Sequence, residues 1–386
     1  MGDKFIPYGH QTIDEDDIQA VVDVLRSDYL TTGPKVSEFE KRVADYVGAK
    51  YAVAVSNGTA ALHIACLAAG LKEGDEVITS PITFAASANC ALYVGAKPVF
   101  ADICEDTFNI DPKDIESKIS EKTKAIIPVH FAGQPCQMDE ISAIAKKHNL
   151  LVIEDGAHAL GAKYHDKMIG SISDMTCFSF HPVKPITTGE GGMVVTNNKT
   201  VYDQARYYKN VCFPLDGPRN YQHENIGYNY RMSNVVAAIG LAQVEKADDY
   251  REMRIKNHQL YRKFLKDVPG IIFQAEPADN CLDVCWMNTI VVNPEKYGHT
   301  KDELIAHLKE NGIDTRLLFT GMHKQKALLD YGCDGTGEYP VCEWLTENGF
   351  YLPSGSGLSE DQIIQITNVI RRFTTVPLKW TNRSLK

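Results

Sequence analysis

Several short stretches of this 386-residue chain carry residues whose types and spacing suit one kind of chemistry. In CFSFHPVKPITTGEGGMVVT, Lys184 stands between Pro182 and Pro185, ahead of a glycine-rich turn. A lysine held in such a loop and partly desolvated has a depressed pKa, which suits Schiff-base formation; alone, it also reads as an ordinary surface lysine. LLVIEDGAHALGA ends an apolar run on Glu154 and Asp155. A carboxylate so placed needs a partner, and the protonated nitrogen of a pyridine ring is suitable; helix capping is the plainer alternative. SNGTAAL places Gly58 and Thr59 where a helix begins, a natural phosphate site, although S-N-G-T is also a common cap. Phe84, in SPITFAASAN, could stack on a flat ring or fill the core. Ser179 ends the strand before the lysine loop. GYNYRMSN, with Asn229, could bond an anion, in competition with capping by Ser233 or Asn234.

These residues need elements to hold them. Residues 14–27 have amphipathic helical spacing, and a second helix starts after the Gly-Pro break in TTGPKVSEFEKRVADYVGA. From about residue 50, Val/Ile-rich runs alternate with helical ones: AVAVS, EVITSP, KPVFADI, KAIIPVHF, LLVIED, MTCFSFH and GGMVVTN read as strands. That alternation predicts an α/β fold, a mostly parallel sheet with helices on both faces, which binds ligands beyond the C-terminal strand ends. A continuous helix is expected from 233 to 268. Beyond it, WMNTIVVN, KDELIAHLKENGI, DTRLLF and SEDQIIQITNVIRRF suggest a smaller α+β domain. The expected division is 1–250, a large cofactor-binding domain, and 251–386, a small C-terminal one.

Composition narrows the function classes. Net charge is −10 and no basic stripe is present, which argues against nucleic acid as a partner. No apolar run approaches the ~20 residues needed to span a bilayer. MGDKFIPYGHQTIDEDD has no apolar stretch after its first charges, so no export signal is expected. The ten cysteines are scattered without a CxxC pair, which disfavours a disulfide scaffold or structural zinc and suits a reducing cytoplasm; no metal site is expected.

In order, SNGTAAL, SPITF, VIEDGAHALGA, SFHPVKPITTGEGG and GYNYRM resemble the signatures of the DegT/StrS family of sugar aminotransferases, over residues 8 to about 372. The resemblance implies a fold-type-I pyridoxal-phosphate enzyme, with pyridoxamine phosphate formed during turnover. It assigns the Schiff-base and proton-moving role to Lys184, the pyridine-nitrogen partner to Asp155, the stacking aromatic to Phe84, and the phosphate cradle to Gly58, Thr59 and Ser179. His158 stands near the cofactor's 3-hydroxyl, where many relatives have Gln. Asn229 corresponds to a residue that reaches the neighbouring subunit's cofactor phosphate, implying a homodimer with shared active sites. Thr31, Thr32, Arg316 and His323 correspond to the sugar-nucleotide region, where an arginine suits a diphosphate; for Arg316, pairing with a nearby acid is the structural alternative.

His158 and HPVKPITT look like the pseudaminic-acid branch of the family. YYKNVCFPLDGPRNYQHENIGYNYRMSN, WMNTIVVN and GIDTRLLFTGMHKQ look more like the perosamine branch. Either implies transfer of an amino group from L-glutamate to C4 of a nucleotide-linked 4-keto-6-deoxyhexose in surface-glycan biosynthesis. The competing expectations are amination at C3, a pyridoxamine-phosphate-dependent sugar dehydratase, a cysteine desulfurase using Cys333, and a non-catalytic cofactor-binding regulator. The dehydratases carry His at the lysine position, so Lys184 opposes that reading. Acidic surroundings oppose a reactive thiol at Cys333.

Overall fold

The computed structural model describes residues 5–216 and 221–376. Residues 1–4 of the N-terminal stretch, and 217–220 within the perosamine-like segment, lie outside the described residues.

The chain enters through two capped helices. Asp14 accepts from the N–H groups of Asp16 and Asp17, and the Asp17 carboxylate accepts from the Asp14 N–H, a reciprocal cap for Glu15–Leu25. Pro34 opens Pro34–Val47, and Gly48, left-handed at φ 75°, ends it.

The Val/Ile-rich runs then form β1 (Tyr51–Val55), β2 (Glu76–Thr79), β3 (Lys97–Phe100), β4 (Thr123–Ile127) and β5 (Leu151–Asp155). A small hairpin follows, β6 (Lys163–Tyr164) and β7 (Lys167–Met168), and then β8 (Met175–Ser179) and β9 (Gly192–Thr196). Seven of them make one sheet in the order β1-β9-β8-β5-β4-β2-β3. The β2–β3, β2–β4, β4–β5 and β5–β8 pairs are parallel, while β9 runs antiparallel between β1 and β8. β9 is buried throughout, which is why its sequence is continuously apolar rather than alternating. The helices pack on both faces, giving an α/β/α body.

A second sheet, wholly antiparallel, comprises β10 (Ile271–Phe273), β11 (Asn288–Val292), β12 (Arg316–Leu317) and β13 (Gly349–Leu352), in the order β10-β11-β13-β12. The helices Lys301–Glu310 and Glu360–Phe373 bury Leu304, Leu308, Ile363, Ile366 and Ile370 in its core. Ile6 joins that core, and bridges pair Ile6 with Ile313 and Gly9 with Ser354. The first described residues therefore lie against the C-terminal sheet, far from their neighbours in sequence.

The continuous helix expected over 233–268 is two helices, Asn234–Val244 and Ala247–Leu265. Lys246 leaves helical geometry at φ −104°, ψ 8°. Its ammonium binds Asp14 at 2.6 Å and Asp17 at 3.2 Å, and the Gln243 side chain donates to the Thr12 carbonyl and to Asp17. A break held by partners more than 200 residues away leaves no trace in local periodicity.

Candidate active site

Strands β1, β2, β5 and β8 run in one direction, so their C-terminal ends share one edge of the sheet. A cavity of about 820 Å³ opens there. Gly58, Thr59, Phe84, Asp155, His158, Ser179, Lys184 and Arg316 all line it.

After β1, Asn57 caps the helix Gly58–Ala68 by accepting from the Ala60 N–H at 2.8 Å. The first N–H groups of that helix have no intrahelical partner and carry the positive end of its dipole. Gly58 is required by close approach: a Cβ there would lie 2.8 Å from the Ser179 Cβ at the end of β8. Two distant stretches thus meet at the start of that helix. Beyond β2, Phe84 is 59% exposed, its ring 6.3 Å from that of Phe319. An aromatic face left that open beside a cavity offers a surface for a flat ring.

Asp155 ends β5 and is 5% exposed. One carboxylate oxygen accepts from the Ser87 hydroxyl at 2.6 Å and the other from the Ala157 N–H at 3.0 Å. Among the described residues no lysine or arginine forms an ion pair with it. The adjacent Glu154 points to the opposite side of the strand, where it accepts from His130 Nε2 at 2.8 Å and from the Thr176 hydroxyl at 2.9 Å. His130 Nδ1 accepts from the Cys136 N–H, which places the ring proton on Nε2. This buried network ties β5 to β8 and to the loop after β4, fixing the strand end that carries Asp155.

Lys184 lies in the loop between β8 and β9, half-buried, with its ammonium 3.9 Å from the centroid of the Trp286 ring. Burial pushes the ammonium down to about 7, opposed by the Asp155 carboxylate and reinforced by the Arg254 guanidinium. The amine is therefore substantially neutral near physiological pH. His158 stacks on the other member of this group, its ring 3.7 Å from Trp286 and inclined by 15°. Burial, followed by the neighbouring Lys184, holds His158 well below the usual histidine range, so its imidazole is neutral. Its Nδ1 is buried with no hydrogen-bond partner among the described residues.

Four expected residues stand differently. Thr31 and Thr32 are exposed and do not line the cavity; the Thr31 carbonyl accepts from the Asn234 N–H instead. Asn229 is exposed on a segment bridged to Asn210 and is also outside the cavity of its own chain. His323 is buried against Tyr339 with its Nε2 3.3 Å from Glu343, and it is not part of the lining. Arg316 does line the cavity, and its guanidinium stacks on Tyr8, 4.1 Å from the ring centroid, with no acid paired to it among the described residues.

Sequence reading missed Tyr8, Ser87, Arg254 and Trp286. Ser87 lies in a stretch already singled out for Phe84, and a hydroxyl three residues beyond an aromatic was the available signal. Trp286 was visible only as the start of a strand. Tyr8 and Arg254 carried no local sign, because one arrives from the N-terminus and the other from a helix face.

The donor set fits pyridoxal phosphate: a helix N-terminus and Ser179 could hold its phosphate and Phe84 its ring face. Asp155 could hold its ring nitrogen, the unpartnered His158 Nδ1 lies where a ring substituent could meet it, and Lys184 could hold its aldehyde carbon. No group of three metal-ligating side chains occurs among the described residues, nor a helix long and apolar enough to cross a membrane.

A model of the DegT/DnrJ/EryC1/StrS aminotransferase family matches residues 11–371. The chain is 39% identical over 371 residues to the GDP-perosamine synthase of Escherichia coli O157:H7, covering 96% of this chain and 99% of that one. Among solved structures, PseC of Helicobacter pylori, an aminotransferase involved in the biosynthesis of pseudoaminic acid, superposes with a TM-score of 0.90 at 28% identity, covering 96% and 99%. The PLP-form of the putative sugar aminotransferase Spr1654 of Streptococcus pneumoniae gives 0.89 at 29% identity, covering 96% and 98%.

Proposed function

The chain belongs to the DegT/DnrJ/EryC1/StrS aminotransferase family, and on that premise we propose that it moves the amino group of L-glutamate to C4 of a nucleotide-linked 4-keto-6-deoxyhexose for a surface glycan. Pyridoxal phosphate is the cofactor of the family, and when bound it supplies the electron sink for carbanion chemistry. The observation that carries the reading is the Lys184 amine and the Asp155 carboxylate, with no cation paired to it among the described residues, facing one cavity at the strand ends.

Each residue has a task that follows from its setting. The N–H groups of Gly58 and Thr59, with Ser179, hold the phosphate, and Phe84 covers the ring. Asp155, held by Ser87 and the Ala157 N–H, keeps a proton on the ring nitrogen. Lys184, neutral for much of its time, accepts and returns a proton at Nζ. Arg316, stacked on Tyr8 in the cavity lining, offers a fork of donors to the diphosphate of the sugar nucleotide. Asn229, exposed and outside its own cavity, suits a contact with a second copy of the chain, and a homodimer with shared sites is part of the reading. The soluble partners expected are small molecules, in the cytoplasm.

Likeness to the GDP-perosamine synthase favours a GDP-sugar, and likeness to PseC keeps a UDP-sugar in view. The test is to incubate the holoenzyme with glutamate and GDP-, UDP- and dTDP-4-keto-6-deoxy sugars and follow 2-oxoglutarate release and product regiochemistry. A C4 amine on one nucleotide series is expected; product aminated at C3, or no product from any series, overturns the reading.

A further inference from the structure

Arg254 is a buried cation with no counterion among the described residues. It is 4% exposed on the helix Ala247–Leu265, and among the described residues no carboxylate pairs with it. Its Nε has no hydrogen-bond partner among the described residues, and burial pushes its pKa down to about 10. A charge in that position is costly to keep, so what it holds in return is informative. Its Nη1 donates to the Trp286 carbonyl at 3.0 Å and its Nη2 to the Lys184 carbonyl at 3.3 Å.

These two carbonyls belong to the segments whose side chains meet in the cavity. The Trp286 indole N–H in turn donates to the Val183 carbonyl at 2.8 Å, and the Lys184 N–H donates to the His181 carbonyl at 2.9 Å. The lysine loop, which has no regular structure of its own, is therefore gripped from outside at two successive residues, Val183 and Lys184, and closed on itself by the bond to His181. Arginine's rigid planar fork can bridge two carbonyls at once; a lysine ammonium in its place, a point charge on a flexible stem, would hold them less rigidly.

We propose that Arg254 is a positioning residue for amino transfer: by joining the carbonyls of Lys184 and Trp286 it fixes the Lys184 amine against the indole face and supplies a positive charge close to it. The inference rests on Lys184 being the reactive amine. The charge disfavours a second cation nearby, so it supports the neutral amine, and the groups that face Lys184 are otherwise Asp155, which acts in the opposite sense, and His158 and His181. Arg254 touches neither cofactor nor substrate in this role; it acts through the loop.

The test uses the full chain as Arg254→Met and Arg254→Lys. In the cofactor-free protein, labelling by an amine-reactive reagent across pH, quantified at Lys184 by peptide mass spectrometry, reads the amine directly. The labelling midpoint is expected to move to higher pH in R254M and to stay near the wild-type value in R254K, which retains the charge. Turnover of both holoenzymes is expected to fall roughly tenfold to a hundredfold, the scale of a misplaced reacting group, with KM for glutamate little changed. An R254M midpoint equal to the wild type, or full kcat in R254K, overturns the proposal. If R254M does not fold, the kcat of R254K decides alone. Retention of turnover by Lys184→Ala sinks the reading of Lys184 itself, a result distinct from any of these.

Discussion

The Lys184 ammonium rests over the indole of Trp286, 3.9 Å from the ring centroid, while the same indole stacks on His158 on a ring-to-ring distance of 3.7 Å. The contact keeps a long, flexible side chain in one place on a loop without regular structure. A cation over an aromatic face gains about 0.5–2 kcal/mol, enough to select a rotamer but not to prevent the amine from leaving.

Replacing Lys184 by Ala removes the group expected to hold the cofactor's aldehyde carbon and to move the proton. Turnover should fall by at least roughly 10²–10⁴-fold, the scale of a lost general acid–base, and the lysine-dependent visible absorbance of the bound cofactor should vanish. Full turnover in K184A would exclude the assignment.

Because burial holds the Lys184 pKa at about 7 against an ordinary 10.5, the unfolded chain binds a proton that the folded chain has released between those values. Stability contributed by this group therefore rises with pH from about 7 towards 10.5 and is absent below 7. The check is a comparison of thermal unfolding of the cofactor-free wild type and Lys184→Met across that window. The wild type should gain on the variant as pH rises, and parallel curves would contradict a depressed amine.

Phe84 is mostly exposed in the chain alone, so Phe84→Ala should leave the unfolding midpoint of the cofactor-free protein almost unchanged. Loss of a stacking face is expected to cost about 0.5–1.5 kcal/mol of cofactor binding, a few-fold to about tenfold in Kd. Spectrophotometric titration with pyridoxal phosphate measures it. A destabilised fold with unaltered Kd would place Phe84 in the core instead.

His130 and Glu154 are both fully buried. Removing the imidazole leaves the carboxylate with Thr176 as its side-chain partner among the described residues, a loss of about 1–3 kcal/mol for a buried acceptor deprived of a donor. His130→Ala should show this in urea unfolding, and cofactor affinity should weaken as the end of β5 loosens.

The alternation of apolar runs and helices was readable because each strand of a sheet covered on both faces must be apolar along its length. For the same reason the strand ends stood out: Asp155, Ser179 and the turn at Gly58 are polar interruptions of that pattern, and Lys184 is marked by its prolines. The family, the cofactor class and the residues at the strand ends follow from the linear order of these motifs. Tertiary structure alone decided the rest, since long-range contacts leave no local period. It broke the 233–268 helix at Lys246 through Asp14 and Asp17, and it laid Ile6 and Tyr8 against elements more than 300 residues away. It also brought Trp286 and Arg254 against the lysine loop, and kept Thr31, Thr32, Asn229 and His323 outside the cavity of their own chain. Which residues can do chemistry is a property of their types. Which of them meet depends on packing between segments that the sequence keeps far apart.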